Sequence, residues 1–274
     1  MGLQKTETEF GGERRRAFVR SMLRDLRALE QMLDAGMIEE GVARIGAEQE
    51  MFLIDASGHP APAAMLALEA AKSPHFTTEL GRFQLELNLD PQPLAGHCFG
   101  LMEAQLAERL THLGKALAPH GVGFVLTGIL PTLRKSDLGL ENMVPNPRYE
   151  TLNRAMTELR GADYEIVIKG VGDLRIKHDS VMVEACNASF QVHLQVGAKD
   201  FARMYNLAQA LSGPILAAAT NSPLLFGRRL WAETRIALFQ QAVDTRSPQH
   251  QRTRERAPTV TGRGPSLRRT CVSR

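Results

Sequence analysis

The sequence predicts an α+β fold with an antiparallel or mixed sheet, and three observations lead there. Two segments, residues 83–89 and 188–196, alternate strictly between apolar and polar side chains, the period of a half-buried strand. Other segments repeat apolar residues at steps of three and four, the period of an amphipathic helix. Strands and helices then follow one another irregularly, without the regular βαβ alternation of a parallel sheet.

Taken in order, residues 13–35 place Phe18, Val19, Met22, Leu26, Leu29 and Leu33 on one helical stripe, with Gly36 following as a helix-ending residue. Residues 43–55 have strand character, and the Ser, Gly and Pro residues after them mark a loop. In the strand at 83–89, Phe83, Leu85, Leu87 and Leu89 share one face, while Gln84, Glu86 and Asn88 share the other; Pro91 and Pro93 end it. A helix is expected at 99–117, an apolar strand at 122–130, a loop at 142–148, a helix at 149–159 and a strand at 164–168. The strand at 188–196 carries Ser189, Gln191, His193 and Gln195 on its polar face, and helices are expected at 200–211 and 232–243.

At 274 residues, 43% hydrophobic and 23% charged, the chain can bury a substantial core. Cys98, Cys186 and Cys271 are widely spaced and form no CxxC pair, so neither a disulfide framework nor a thiolate zinc site is suggested, and a reducing cytoplasm fits. The apolar runs are far shorter than the roughly 20 residues a membrane span requires. The net charge of +3 conceals a division. Residues 247–274 hold Arg252, Arg254, Arg256, Arg263, Arg268, Arg269 and Arg274 against the single acid Glu255. Removing them from the totals of 33 Lys+Arg and 30 Asp+Glu leaves 26 against 29 in the body. The basic balance therefore belongs to the tail and does not argue for nucleic-acid binding. Two regions are expected: a folded body over 1–246 and an arginine-rich tail over 247–274 that cannot bury enough to fold alone.

Several polar residues sit where chemistry could use them. Glu48 and Glu50, two apart on a strand, point to one side, where oxygen-only carboxylate groups suit Mg²⁺; the same spacing suits a solvated strand face. Glu86 lies between Leu85 and Leu87, with Glu79 seven residues before it. His193 is flanked by Gln191 and Gln195 and could meet a metal or a phosphate, or serve as a hydrogen-bonded structural histidine. Glu233 and Arg235 place an acid beside a planar guanidinium able to grip an anion, or form a local ion pair. P-loop, dinucleotide, GxSxG, HExxH and protein-kinase motifs are absent, so any nucleotide would be held by metal-bearing carboxylates and arginines.

The segments RIGAEQEMFLID, TTELGRFQLELNLDPQP, TGILPT, NPRYETLNRA, ASFQVHLQV, YNLAQALSGPILAAATNSP and LWAETRIALFQQAVDTR, in this order over residues 40–246, resemble the glutamate-cysteine ligase family in its bacterial carboxylate-amine ligase branch. The resemblance implies that residues 1–246 are a catalytic domain, incomplete at its C-terminal end, with a glutamine synthetase-like fold whose sheet curves into a funnel and whose acidic strand faces hold ATP and Mg²⁺. It implies Glu48, Glu50, Glu79, Glu86 and Glu233 as metal ligands, His193 and Gln191 beside the nucleotide, and Arg235 as a catalytic residue binding phosphate or substrate carboxylate. The implied reaction phosphorylates a carboxylate, and an amine displaces the phosphate. Glutamate and cysteine are the default substrates, placing the chain in glutathione biosynthesis. No nucleic acid or membrane partner is implied, and the oligomeric state stays open. The alternative is a degenerate, non-catalytic member that binds nucleotide or amino acid as a partner or regulatory protein.

Overall fold

The computed structural model describes residues 12–161 and 163–244. Within them the chain is α+β, and its main sheet is antiparallel throughout. The sheet is built around one long strand, β1 (Arg44–Ile54), which pairs over different parts of its length with four others. β3 (Gln84–Asn88) lies along one edge of β1, with β2 (Phe76–Thr78) outside it. Three short partners complete the sheet: β4 (Gln92–Pro93), β5 (Gly123–Val125) and β8 (Phe190–Leu194). A separate hairpin joins β6 (Tyr164–Lys169) to β7 (Asp173–His178), and β9 (Leu224–Leu225) pairs with β10 (Arg228–Arg229).

Alternation along β1 divides the molecule into two cores. Ile45, Ala47, Met51 and Leu53 face one way and, with Leu85 and Leu87 of β3, pack against α2 (Ala64–Ala71) and α3 (Cys98–Leu117). Phe52 faces the other way, stacks on Phe83 at 6.5 Å between ring centroids, and joins a core with Ile129, Leu133, Val181 and Leu238. α4 (Pro147–Arg160) and α6 (Thr234–Ala242) flank this second core. On the same face as Phe52, Glu48 and Glu50 extend the row beyond the apolar packing, so the second core and the acidic patch are consecutive stretches of one strand face.

Sequence and structure agree on β1, β3, α3, β6 and α6 to within a residue or two. The helix α4 begins at Pro147, two residues before the expected start, because Asn146 caps it by accepting from Arg148 N and proline is suited to the first helical turn. The apolar run 122–130 is strand only at Gly123–Val125. Beyond it the backbone bonds leave the ladder, Gly128 N donating to Asn221 O and Gly128 O accepting from Ala188 N. A Cβ on Gly128 would stand 3.2 Å from Arg235 Cδ and from Asn221 O, tighter than ordinary contact, so a larger residue would require these neighbours to shift by a few tenths of an ångström. α2 and β7 were not foreseen. The β6–β7 turn crosses the Leu230 backbone at Gly170, where a Cβ would come within 2.8 Å of Leu230 C.

The stripe on α1 (Gly12–Asp34) and the apolar face of β8 differ from expectation in burial. Phe190, Val192 and Leu194 are 47, 53 and 44% exposed, because α2 and α3 cover β1 and β3 but stop short of β8. α5 (Phe201–Ala218) runs past the expected end at 211 and contains no buried residue among those described. No described helix is long and apolar enough to cross a membrane. The tail 247–274 lies outside the described residues.

Candidate functional site

Register brings the acids together. β1 pairs with β3 so that Glu50 lies opposite Glu86, and with β8 so that Glu48 lies opposite Gln191 and Gly46 opposite His193. β2 adds Thr77 opposite Glu86, and Glu79 leaves the end of that strand. One carboxylate oxygen from each of Glu50, Glu79 and Glu86 falls within 4.8 Å of the other two. Such a trio of oxygen donors is a group a hard cation accepts.

Each acid is held differently. Glu50 accepts from Ser189 N at 2.8 Å and from Gln191 Nε2 at 2.9 Å, so the β8 polar face fixes its orientation. Glu86 accepts from Asn88 Nδ2 at 2.7 Å along its own strand. Glu79 and Glu86 share a hydrogen bond, which requires a proton between them. Burial first, then that bond and the charges of Glu50, Glu86 and Glu184, push the Glu79 carboxyl up to about 9. Burial also raises Glu50, against the opposing hydrogen bonds from Ser189 and Gln191.

The expected ligands do not all join this group. Glu48 lies one step along the same face, its Oε2 3.5 Å from His193 Nε2. Glu233 stands elsewhere, 7% exposed at the start of α6, where its two oxygens accept from Asn221 N (3.0 Å), Ser222 Oγ (2.6 Å), Arg235 Nε (2.8 Å) and Arg235 Nη2 (3.2 Å). Four donors on one carboxylate use its lone pairs for anchoring, the local ion pair that the sequence left as an alternative. Arg235 Nη1 also donates to Ala188 O at 3.3 Å, and the next residue, Ser189, donates to Glu50. A single peptide link thus separates the arginine's anchor from that of the acidic trio.

Sequence reasoning missed Glu184. It lies in the turn Val181–Cys186, whose other residues are all buried. Burial first, then the Glu50 charge, pushes its carboxyl up to about 7. Its signal was an acid inside the apolar run VMVEAC, too short to display a period. Glu184 and Glu79 open onto a cleft of about 470 Å³ between α4 and α6, with Tyr149 beside them. A larger hollow of about 580 Å³, lined by Leu140, Pro145, Glu150 and Arg154, receives none of the clustered acids.

These raised values fix a pH dependence. Glu79 and Glu184 bind protons more tightly folded than unfolded, so between roughly pH 4.5 and 9 the native state holds more protons and stability falls as pH rises. Their contribution is fully present below about pH 4.5 and is lost as pH passes through 7 and then 9. Thermal melts in a chelator from pH 5 to 9 are expected to fall steadily for the wild type and less steeply for Glu79→Gln. Parallel slopes in the two proteins would contradict the assignment.

The sheet face thus gathers three carboxyl groups, an oxygen-donor class of site, with Arg235 tied to Ala188, the residue before the one that anchors Glu50. The sequence model of "Glutamate-cysteine ligase family 2 (GCS2)" matches residues 44–256. The chain therefore belongs to glutamate-cysteine ligase family 2. Among solved structures, a bifunctional glutathione synthetase from Pasteurella multocida aligns with TM-score 0.43 and 12% identity over 68% of this chain. The alignment covers 24% of that protein, so the chain spans about a quarter of its length. No curated protein matches the chain.

Proposed function

We propose that this chain is an ATP-dependent carboxylate-amine ligase of the glutamate-cysteine type, working in the cytoplasm on an acidic amino acid and an amine. One observation carries the reading within the family: an oxygen-only group of Glu50, Glu79 and Glu86 in which burial first, and then the neighbouring carboxyl groups, push the Glu79 carboxyl up to about 9. Such a site gains most from a cation, and carboxylate oxygens are the donors Mg²⁺ takes alongside nucleotide phosphates. Bound magnesium would neutralise charge on the transferring phosphoryl group.

The protein's own residues position the reaction. Gln191 and Ser189 N fix Glu50, and the Glu48–His193 pair extends the polar face toward the phosphates. Glu233 holds Arg235 in place. A guanidinium has five N–H groups; the bonds to Glu233 and Ala188 leave one on each Nη for a phosphate or substrate carboxylate. The funnel-shaped closure of glutamine synthetase-like enzymes is part of the same reading. A carboxylate becomes an acyl phosphate as ATP gives ADP, and the amine's lone pair then attacks the acyl carbon and releases phosphate.

The expected result is ADP release by the purified chain only when Mg²⁺, an acidic amino acid and an amine are all present. Release indifferent to the amino acids would sink the ligase reading. Magnesium-dependent ATP binding without turnover would assign the chain to the non-catalytic alternative.

A further inference from the structure

We propose that the cleft between α4, the turn Val181–Cys186 and α6 seats a primary amine bearing a branched or aromatic apolar side chain, its ammonium group set against Glu184. This deepens the ligase reading, on which it rests, by naming the class of the accepting amine.

The cleft has about 470 Å³ of space, within the range of small-molecule sites. Leu80, Leu152, Met156, Val181 and Phe239 supply most of its lining. Leu80 and Val181 belong to the second core, and Met156 and Tyr149 pack against that core, so the inner wall is fixed. The polar groups in the lining are Glu79, Glu184 and Tyr149. Tyr149 Oη is already committed, donating to Thr78 O at 3.4 Å. Glu79 is committed to the acidic trio and its bond with Glu86.

Glu184 is different. Its backbone oxygen accepts from Asn187, but no described side chain or backbone donor meets its carboxylate. The side chain is partly buried among the buried residues of its turn and lines the cleft. A carboxylate held in apolar surroundings without a donor strongly favours a cationic hydrogen-bond donor. No lysine or arginine is among the described residues that line the cleft, which leaves the Glu184 carboxylate open to a ligand's ammonium group. A negative charge on Glu184 at the inner end selects an ammonium over an acidic ligand. The apolar walls then select what that ammonium carries, and Glu79 links this end directly to the trio proposed for the phosphate chemistry.

The test measures binding of 3-methylbutylamine and methylamine to the intact chain by titration calorimetry, without nucleotide. Wild type is expected to bind 3-methylbutylamine on the order of a hundredfold more tightly than methylamine, from the extra buried methylenes. Glu184→Gln is expected to weaken 3-methylbutylamine by about tenfold or more, as loss of a charged hydrogen bond does. Leu152→Trp, which fills the mouth from a half-exposed position on α4, is expected to abolish its binding, and Met156→Trp gives a second filling from the inner wall. Equal affinity in wild type, Glu184→Gln and either filled variant, or no preference for the larger amine, would overturn the proposal. Melting of the wild type with Mg-ATP is recorded alongside. An absent Mg-ATP response with the amine preference intact would fault the ligase reading while upholding the amine site.

Discussion

Replacing Arg235 by Ala is expected to lower the unfolding free energy by about 3 kcal/mol, because it strands a carboxylate that the fold has taken out of water. Glu233 is 7% exposed, and two of its four donors come from Arg235. Asn221 N and Ser222 Oγ would remain, but neither brings a positive charge. The damage should spread, since Arg235 also bonds Ala188 O and packs closely against Gly128. Arg235→Lys keeps a charge but cannot reproduce the two-pronged contact, so an intermediate loss is expected. Urea unfolding measures both. A loss below about 0.5 kcal/mol in Arg235→Ala would mean that the pair behaves like an exposed surface bridge.

The elements most legible in the sequence are those where one physical requirement repeats at a fixed period. Alternation in β3 and β8 showed which side chains share a face, and Glu86, Gln191 and His193 stand on the polar faces read for them. Family resemblance added the order of the segments, which the family match over residues 44–256 supports. Periodicity alone could not show which acids would meet. Glu50 joins Glu86 because the antiparallel register sets them opposite each other, whereas Glu48, equally well placed by spacing, falls opposite Gln191 and turns to His193. A shift of two residues in pairing would have exchanged their roles, and no local pattern fixes that shift.

Other features were hidden for different reasons. The hairpin of β6 and β7 was half read, because Tyr164–Lys169 is apolar enough to notice while Asp173–His178 alternates with four charged or titratable residues. Glu184 was hidden by brevity, and its meaning comes from the cleft that α4 and α6 close around it. The amphipathic pattern of α1 was correctly read as helix, yet its stripe is exposed among the described residues; period predicts which residues share a face, not what covers them.

The acidic trio carries the account, and its behaviour toward Mg-ATP tests it. Three carboxyl groups within 4.8 Å repel one another unless protonated or neutralised, and burial first, then that crowding, raises the Glu79 carboxyl. A ligand that binds only the folded state stabilises it by about 2.7 kcal/mol at a hundredfold excess over its dissociation constant. For a domain of this size that is roughly 5–10 °C in melting temperature. Glu86→Gln preserves size and an oxygen acceptor but removes one carboxyl group from the trio. Without ligand the variant is expected to be as stable as wild type or more so, since one source of crowding is gone. Melts of wild type and Glu86→Gln, each with and without saturating Mg-ATP, decide the matter. The account predicts a rise of roughly 5–10 °C in wild type and less than half of that in the variant; equal rises in the two proteins would remove Glu86 from the cation site and contradict it.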